Sequence, residues 1–438
     1  MARPRTRVPL HIFLNGRLVG RLRRQSSGAI DFQYDPSWLA WENAIPVSVS
    51  LPLREDRYIG DPVIAVFENL LPDNDAVRRR LAERSKADGV DAYSLLASVG
   101  RDCIGALQFL PEGTEPGPAG AVEGRAVNEE EVAALLADLG RSPLGISADQ
   151  EFRISLAGAQ EKTALLYWKN SWHVPHGTTA TTHILKPQIG QLPNGIDLSN
   201  SVENEHLCLK LVNALGIETA RSEIVIFAGK RVLSVERFDR LWTKDRRLLR
   251  IPQEDGCQAL SVPPARKYES EGGPGIRDLS ALLQGSDTPE RDQRTFFKAQ
   301  LVFWVLGATD GHAKNFSIRL AAGGRFHLAP LYDVISAQPS VDAKQIRLNQ
   351  MKLAMAVGKH RHTTVHEIVP RHFVQTAEIC GLPKAMVTEV FQELKDTGPA
   401  RIDTVLSALP DDFPETITMS IAKGAKGRLG MLGAAITA

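Results

Sequence analysis

The sequence predicts an α+β fold in two lobes, with a mixed α/β N-terminal part and a mainly α-helical C-terminal lobe. Three observations predict it. Hairpin signals alternate with short helical stretches over residues 1–111, strand-like apolar runs dominate from 151 to Phe238, and beyond Phe238 the apolar spacing becomes helical. A chain of 438 residues is long for a single core, so several domains are expected. The expected divisions are an N-terminal domain at 1–111, a linker and connecting helix at 112–150, a strand-rich lobe at 151–238 and a helical lobe at 239–438.

In the N-terminal domain, "HIFLNGRLVGRL" reads as a hairpin, with Asn15-Gly16 supplying the positive φ angles of a tight turn. "AVFENLLPDNDAVRRRLAERS" reads as a helix–turn–helix stretch with Asp73 or Asn74 as N-cap. "YSLLASVGRDCIGALQFLP" closes the domain with a short helix, a Gly turn and a strand. Residues 112–126 are rich in Gly and Pro and read as a linker. A helix follows from Asn128 to Leu139, with an Asn128/Glu131 capping box and Gly140 at C′. Three strands are then expected in "FRISL", "TALLYW" and "TTHILKP", a helix over 199–215 ending at Gly216, and a hairpin in "SEIVIFAGKRVLSVERF" turning at Gly229-Lys230. A last hairpin lies in "FSIRLAAGGRFHLA", with Gly323-Gly324 at its turn.

Bulk composition excludes little and fits an ordinary globular protein, with 43% hydrophobic and 24% charged residues. A net charge of +1 argues against strong autonomous binding to nucleic acid, which relies on phosphate neutralisation. The four cysteines, Cys103, Cys208, Cys257 and Cys380, are scattered and form no C-x-x-C pair, as expected of reduced, packed thiols. The longest apolar run, "AQLVFWVLGA", is shorter than the ~18 residues a membrane span requires. "MARPRTRVPLHIFLNG" is basic but has neither the apolar length nor the cleavage site of a secretory signal. A cytoplasmic location with no membrane partner is expected.

Chemistry concentrates in "ATDGHAKNFSI", where Asp310, His312, Lys314 and Asn315 follow one of the most apolar segments of the chain. Buried polar groups need partners, because an unpaired carboxylate in the interior is costly. Asp310 and Asn315 stand as D-x-x-x-x-N, the spacing with which kinase-type phosphoryl transferases place a proton acceptor and a metal ligand. The hairpin after Asn315 returns the chain to "PLYDVIS", which brings Asp333 near Asn315 as a second oxygen ligand for Mg2+. Upstream, "SLAGAQEKTAL" supplies a small-residue loop able to approach phosphates. It is not a Walker A motif, because Glu161 stands where Gly should precede the Lys. Lys186 ends a strand. Glu203 shares a helical arc with Leu207, Leu211 and Ala214 and is its natural partner, whereas Glu205 points elsewhere. "VERFDR" follows the second hairpin, in the place of a hinge, so Glu236, Arg237 and Phe238 are candidate adenine contacts. Each feature alone is weak; together they occur once each, in kinase order.

These segments resemble a known family. "SLAGAQEKTAL", "THILKP", "ENEHLCLKLVNALGI", "VERFDR", "QEDGCQAL", "KYESEGGPG", "DGHAKNFSI" and "LYDVISA" are similar to the HipA family of bacterial serine/threonine-kinase toxins, and "FENLLPDNDAVRRRL" and "LLASVGRDCIGALQFLP" to its N-terminal domain. The resemblance runs from about residue 8 to 410 and implies a two-lobed protein-kinase-like fold. It implies that Asp310 is the proton acceptor and that Asn315 and Asp333 hold Mg2+. ATP would be bound by Ala157, Gly158, Ala159, Gln160, Glu161, Lys162, Lys186, Glu236, Arg237, Phe238 and His312. Ser155 would be an autophosphorylation site. It further implies an aminoacyl-tRNA synthetase substrate, glutamyl-tRNA synthetase above all, and a small helix-turn-helix antitoxin of the HipB type through which operator DNA is met. One departure is Gly256 in "QEDGCQAL", where a larger residue is expected. Two other readings stay open from the residues: a binding subunit with an idle kinase site, and a kinase acting on a small molecule.

Overall fold

The computed structural model describes residues 8–140, 143–145, 156–157 and 160–433. They form two compact units, both discontinuous in sequence: Met1–Pro187 with Val225–Ala265 and Ile318–Phe326, and Gln188–Ile224 with Arg266–Ser317 and His327–Ala438. Helices and largely antiparallel sheets are segregated along the chain, which makes the fold α+β.

The first unit opens with an antiparallel five-stranded sheet, in the order Tyr58–Ile59, Ile30–Tyr34, Arg17–Arg24, Leu10–Leu14, Leu107–Pro111. The Asn15-Gly16 turn has φ of 47° and 81°, the left-handed pair that a two-residue hairpin of this twist requires. Phe32, Phe67 and Phe109 fill the core beneath the sheet, with Phe67 edge-on to Phe109 at 5.5 Å. Three helices cover it: Asp61–Glu68, Asp75–Ser85 and Ala92–Val99. Of the two expected caps it is Asn74 that serves, its side chain accepting from the amides of Ala76 and Val77.

A second, six-stranded sheet runs in the order Ser222–Phe227, Lys230–Glu236, His183–Pro187, Thr163–Trp168, Ser171–Pro175, Gly124–Val127. Three expectations need correction here. The end of the expected linker is an edge strand, with Gly124 opposite Pro175. The hairpin turns at Ala228-Gly229, with φ of 45° and 82°, one residue earlier than expected. The Asn128/Glu131 capping box is formed as expected, but its helix, Glu129–Ala137, is capped by Asp138, so Gly140 is not its C′ residue. The "FRISL" strand falls outside the described residues except for Leu156.

The second unit is built around helix Pro289–Leu306, which buries Phe296, Phe297, Leu301, Val302, Phe303, Trp304, Val305 and Leu306. It packs against helices Ile276–Gln284, Lys384–Ser407, Glu415–Met431 and Ser201–Ala214. The Trp304 indole donates to the Val365 carbonyl at 3.1 Å, which satisfies a polar group in the middle of this core. Cys103, Cys208 and Cys257 are buried and Cys380 is partly so, all as free thiols. Among the described residues no helix is long and apolar enough to cross a membrane.

Candidate active site

The Pro289–Leu306 helix stops at Gly307, whose φ of 66° lets its amide return to the carbonyls of Phe303 and Trp304. A side chain there would also come within 2.1 Å of Met351. The chain leaves the helix as the loop 308–315. Gly311 lies flat on Phe303, since an added Cβ would approach that ring to 2.3 Å. The apolar helix is therefore the floor on which the polar loop rests.

The loop is fixed through its backbone. The Asp310 carbonyl accepts from the His312 amide at 2.9 Å and from the Asn315 side-chain amide at 2.7 Å. The second hydrogen of that amide is directed at the Asp333 carbonyl, 3.4 Å away. Asn315 is 4% exposed, and its amide oxygen is left as the acceptor end. The hairpin after it turns at Gly323 and Gly324, φ 72° and 81°, and closes with the Ala329 amide on the Ser317 carbonyl at 2.8 Å. Tyr332 then staples the returning chain, its hydroxyl 2.6 Å from both the Lys314 carbonyl and Ser317 Oγ. Asp333 follows in the left-handed region at φ 58°, which Asp tolerates better than most residues. Asp310, Asn315 and Asp333 are thus brought together. An amide oxygen and a carboxylate on neighbouring, fixed residues make an all-oxygen donor pair, which suits Mg2+ completed by phosphate and water.

The Asp310 carboxylate projects from this anchored loop and its side chain is 55% exposed. Its Oδ1 accepts from the Tyr268 hydroxyl at 2.7 Å. His312 is buried, with Nε2 3.9 Å from Asp310 Oδ1 and its ring edge-on to Tyr268 at 4.8 Å. Tyr268 was not among the sequence candidates; its 42-residue separation from Asp310 carries no motif. In the same unit, Glu203 is 2% exposed and accepts from the Gln188 side chain at 2.7 Å. Glu205, expected to turn away from the core, is equally buried at 2%, because both faces of helix Ser201–Ala214 are covered.

In the first unit, Lys162 is 7% exposed and donates to the Ala157 carbonyl at 2.7 Å. Gln160 donates to the Pro187 carbonyl at 3.4 Å, and Glu161 faces solvent. Ser155, Gly158 and Ala159 lie outside the described residues. Lys186 stands on strand His183–Pro187, opposite Leu233, and is 6% exposed. Glu236 ends the neighbouring strand opposite His183. Arg319 donates to the Phe238 carbonyl at 3.2 Å and lies 5.5 Å over its ring.

The Arg237 side chain is committed inside the first unit. Its guanidinium grips Asp239 with two nitrogens, at 3.0 and 2.7 Å, and reaches Asp102 at 3.2 Å. It also donates to Thr181 Oγ1 and the Cys103 carbonyl, and its amide is taken by the Thr182 carbonyl. Arg240 and Arg250 complete the cluster, each donating to Asp102 Oδ1. Burial alone would raise the Asp102 carboxyl, but Arg240, Arg237 and Arg250 outweigh it and hold it well below the usual carboxylate range. Burial and the adjacent Arg237 push the Arg240 guanidinium down to about 10. These contacts hold the Arg237 segment in place. Gly256 opens a short helix capped by Asp255 and is buried without a side chain.

Comparison with known proteins places the chain in a family. The HipA N-terminal domain family matches residues 10–110 and the HipA-like C-terminal domain family matches residues 154–402. A putative kinase, Y4mE, of Sinorhizobium fredii is 34% identical over 406 residues, covering 92% of this chain and 93% of that one. The serine/threonine-protein kinase toxin HipA of Shewanella oneidensis is 26% identical over 417 residues, covering 92% and 90%. The solved complex of Shewanella oneidensis HipA, HipB and operator DNA superposes with a TM-score of 0.81 at 24% identity, over 98% of this chain and 99% of that one. That likeness shows a shared α+β, kinase-like fold.

Proposed function

Since this chain belongs to the HipA family, we propose that it is an ATP- and Mg2+-dependent serine/threonine-protein kinase acting as the toxin of a toxin–antitoxin pair. The observation that carries the reading is the anchoring of Asp310 and Asn315 to one another and to Asp333, with the Asp310 carboxylate left projecting outward. Asp310 takes the proton of the incoming serine hydroxyl as the serine oxygen bonds to the γ-phosphorus and the bridging oxygen departs with ADP. Asn315 and Asp333 hold Mg2+, which when bound neutralises charge on the phosphates. Lys186 and the loop 157–162 take the phosphates; Glu236 and Phe238 face adenine, and His312 borders the nucleotide.

Ser155 is the proposed site of self-phosphorylation. A phosphate there adds about −1.5 to −2 charges beside the phosphate loop and opposes ATP binding. The proposed target is an aminoacyl-tRNA synthetase, glutamyl-tRNA synthetase first, which places the activity in the cytoplasm. A HipB-type antitoxin is the proposed partner, with operator DNA met mainly through it; support comes from the Shewanella complex of HipA with HipB and operator DNA. The purified chain, given γ-labelled ATP and Mg2+, should label itself and added glutamyl-tRNA synthetase. Ser155→Ala should remove the self-label and leave the synthetase label. Label in neither protein would overturn the proposal.

A further inference from the structure

The loop "KYESEGGPG" has no role in the reading above, yet it lies along the Asp310 loop within the same unit. The Lys267 carbonyl accepts from the Ala313 amide at 3.4 Å, and the Tyr268 hydroxyl reaches Asp310 Oδ1 at 2.7 Å. The loop is held against motion. The Tyr268 carbonyl accepts from the amides of Glu271 and Gly273, at 3.0 and 2.9 Å. Gly273 has no room for a side chain, since a Cβ would fall 1.9 Å from the Arg266 carbonyl oxygen. Glu269, the next residue, is anchored from hairpin 352–364: its carboxylate accepts from the Ala356 amide at 2.5 Å and pairs with Arg361 at 3.0 Å. The Tyr268 ring is further fixed edge-on against His312.

We infer that Tyr268 is a positioning residue for phosphoryl transfer, holding Oδ1 of Asp310 so that Oδ2 is presented to the acceptor hydroxyl. An exposed carboxylate on a loop samples several rotamers, and general-base catalysis needs one of them. Among the described residues the Tyr268 hydroxyl is the one hydrogen-bond donor to that carboxylate. The tyrosine keeps its own proton throughout; the proton from the acceptor goes to Oδ2. Glu269 and its anchors act a step further out, by fixing the loop that carries Tyr268. The inference rests on Asp310 being the proton acceptor.

The test uses the full chain with γ-labelled ATP and Mg2+, following label in the chain and in glutamyl-tRNA synthetase for wild type, Tyr268→Phe, Asp310→Asn and the double variant. Phenylalanine keeps the ring on His312 and removes only the hydroxyl. Tyr268→Phe should lower kcat about tenfold, the size of effect one hydrogen bond commands, with KM for ATP and Tm essentially unchanged. In the Asp310→Asn background it should cause no further loss. Wild-type kcat in Tyr268→Phe, with Asp310→Asn inactive, would overturn this inference alone. A fall in kcat matched by a fall in Tm or a rise in KM for ATP would reduce Tyr268 to a structural residue and also overturn it. Full activity of Asp310→Asn, or an unlabelled wild type, would instead overturn the reading of Asp310 on which it rests.

Discussion

Asp310→Ala is expected to slow phosphate transfer by about 10²–10⁴-fold, the span a positioned general base contributes, and to leave ATP affinity and fold intact. The reason lies in how the loop is held. Its anchors, the amides of His312 and Asn315, act on the Asp310 carbonyl, a backbone atom that alanine retains. The carboxylate is 55% exposed, and among the described residues its loss forfeits the Tyr268 hydrogen bond and the longer approach of His312 at 3.9 Å. Unfolding free energy should therefore change by no more than about 0.5 kcal/mol, as at ordinary surface sites. Steady-state transfer rates and a thermal melt on the same preparation check both halves. A variant that transfers phosphate at the wild-type rate would remove Asp310 from the chemistry.

Asp102→Ala is expected to destabilise the protein by about 3–5 kcal/mol, the cost of stranding buried charge. Asp102, Asp239, Arg237, Arg240 and Arg250 have side chains no more than 5% exposed. Three guanidiniums converge on the Asp102 carboxylate, and Thr181 adds its amide and hydroxyl at 3.0 and 2.7 Å. Removing the carboxylate leaves three buried cations with Asp239 as the remaining anion of the cluster. Because this carboxyl is depressed in the folded state, its contribution is complete above the unfolded value near 3.9. It fades as pH falls from there toward the folded value, so wild type and variant should converge in acid. Urea unfolding at neutral pH and in acid measures both effects; equal midpoints at neutral pH would show the network to be dispensable.

Local features of the fold were legible because their causes are local. The left-handed pair at Asn15-Gly16, the Asn128/Glu131 capping box and the Gly323-Gly324 turn are written in adjacent residues. The Ala228-Gly229 turn was displaced by one because Ala228, an unfavourable residue for positive φ, supplies half of it. The Gly124–Val127 edge strand was hidden in a Gly/Pro-rich stretch; it forms only because Ser171–Pro175 offers an edge. The Asp310–Asn315–Asp333 arrangement was legible since a single hairpin makes it. Long-range partners were not. Arg237 reads as part of a hinge, and nothing near it announces Asp102, 135 residues away, as the anion it is buried with. Tyr268 was passed over for the same reason, since its value depends on a loop path that only the tertiary fold specifies.

We propose that the polar loop at 310–315 and Asp333 form a nucleotide-dependent phosphoryl-transfer centre. Calorimetric titration of the full chain with ATP, with and without Mg2+, tests it most directly. Saturable binding that strengthens with Mg2+, and loses that Mg2+ dependence in Asn315→Ala and in Asp333→Ala, is the predicted result. Absence of ATP binding by the wild type at millimolar nucleotide, in the presence of Mg2+, would contradict it.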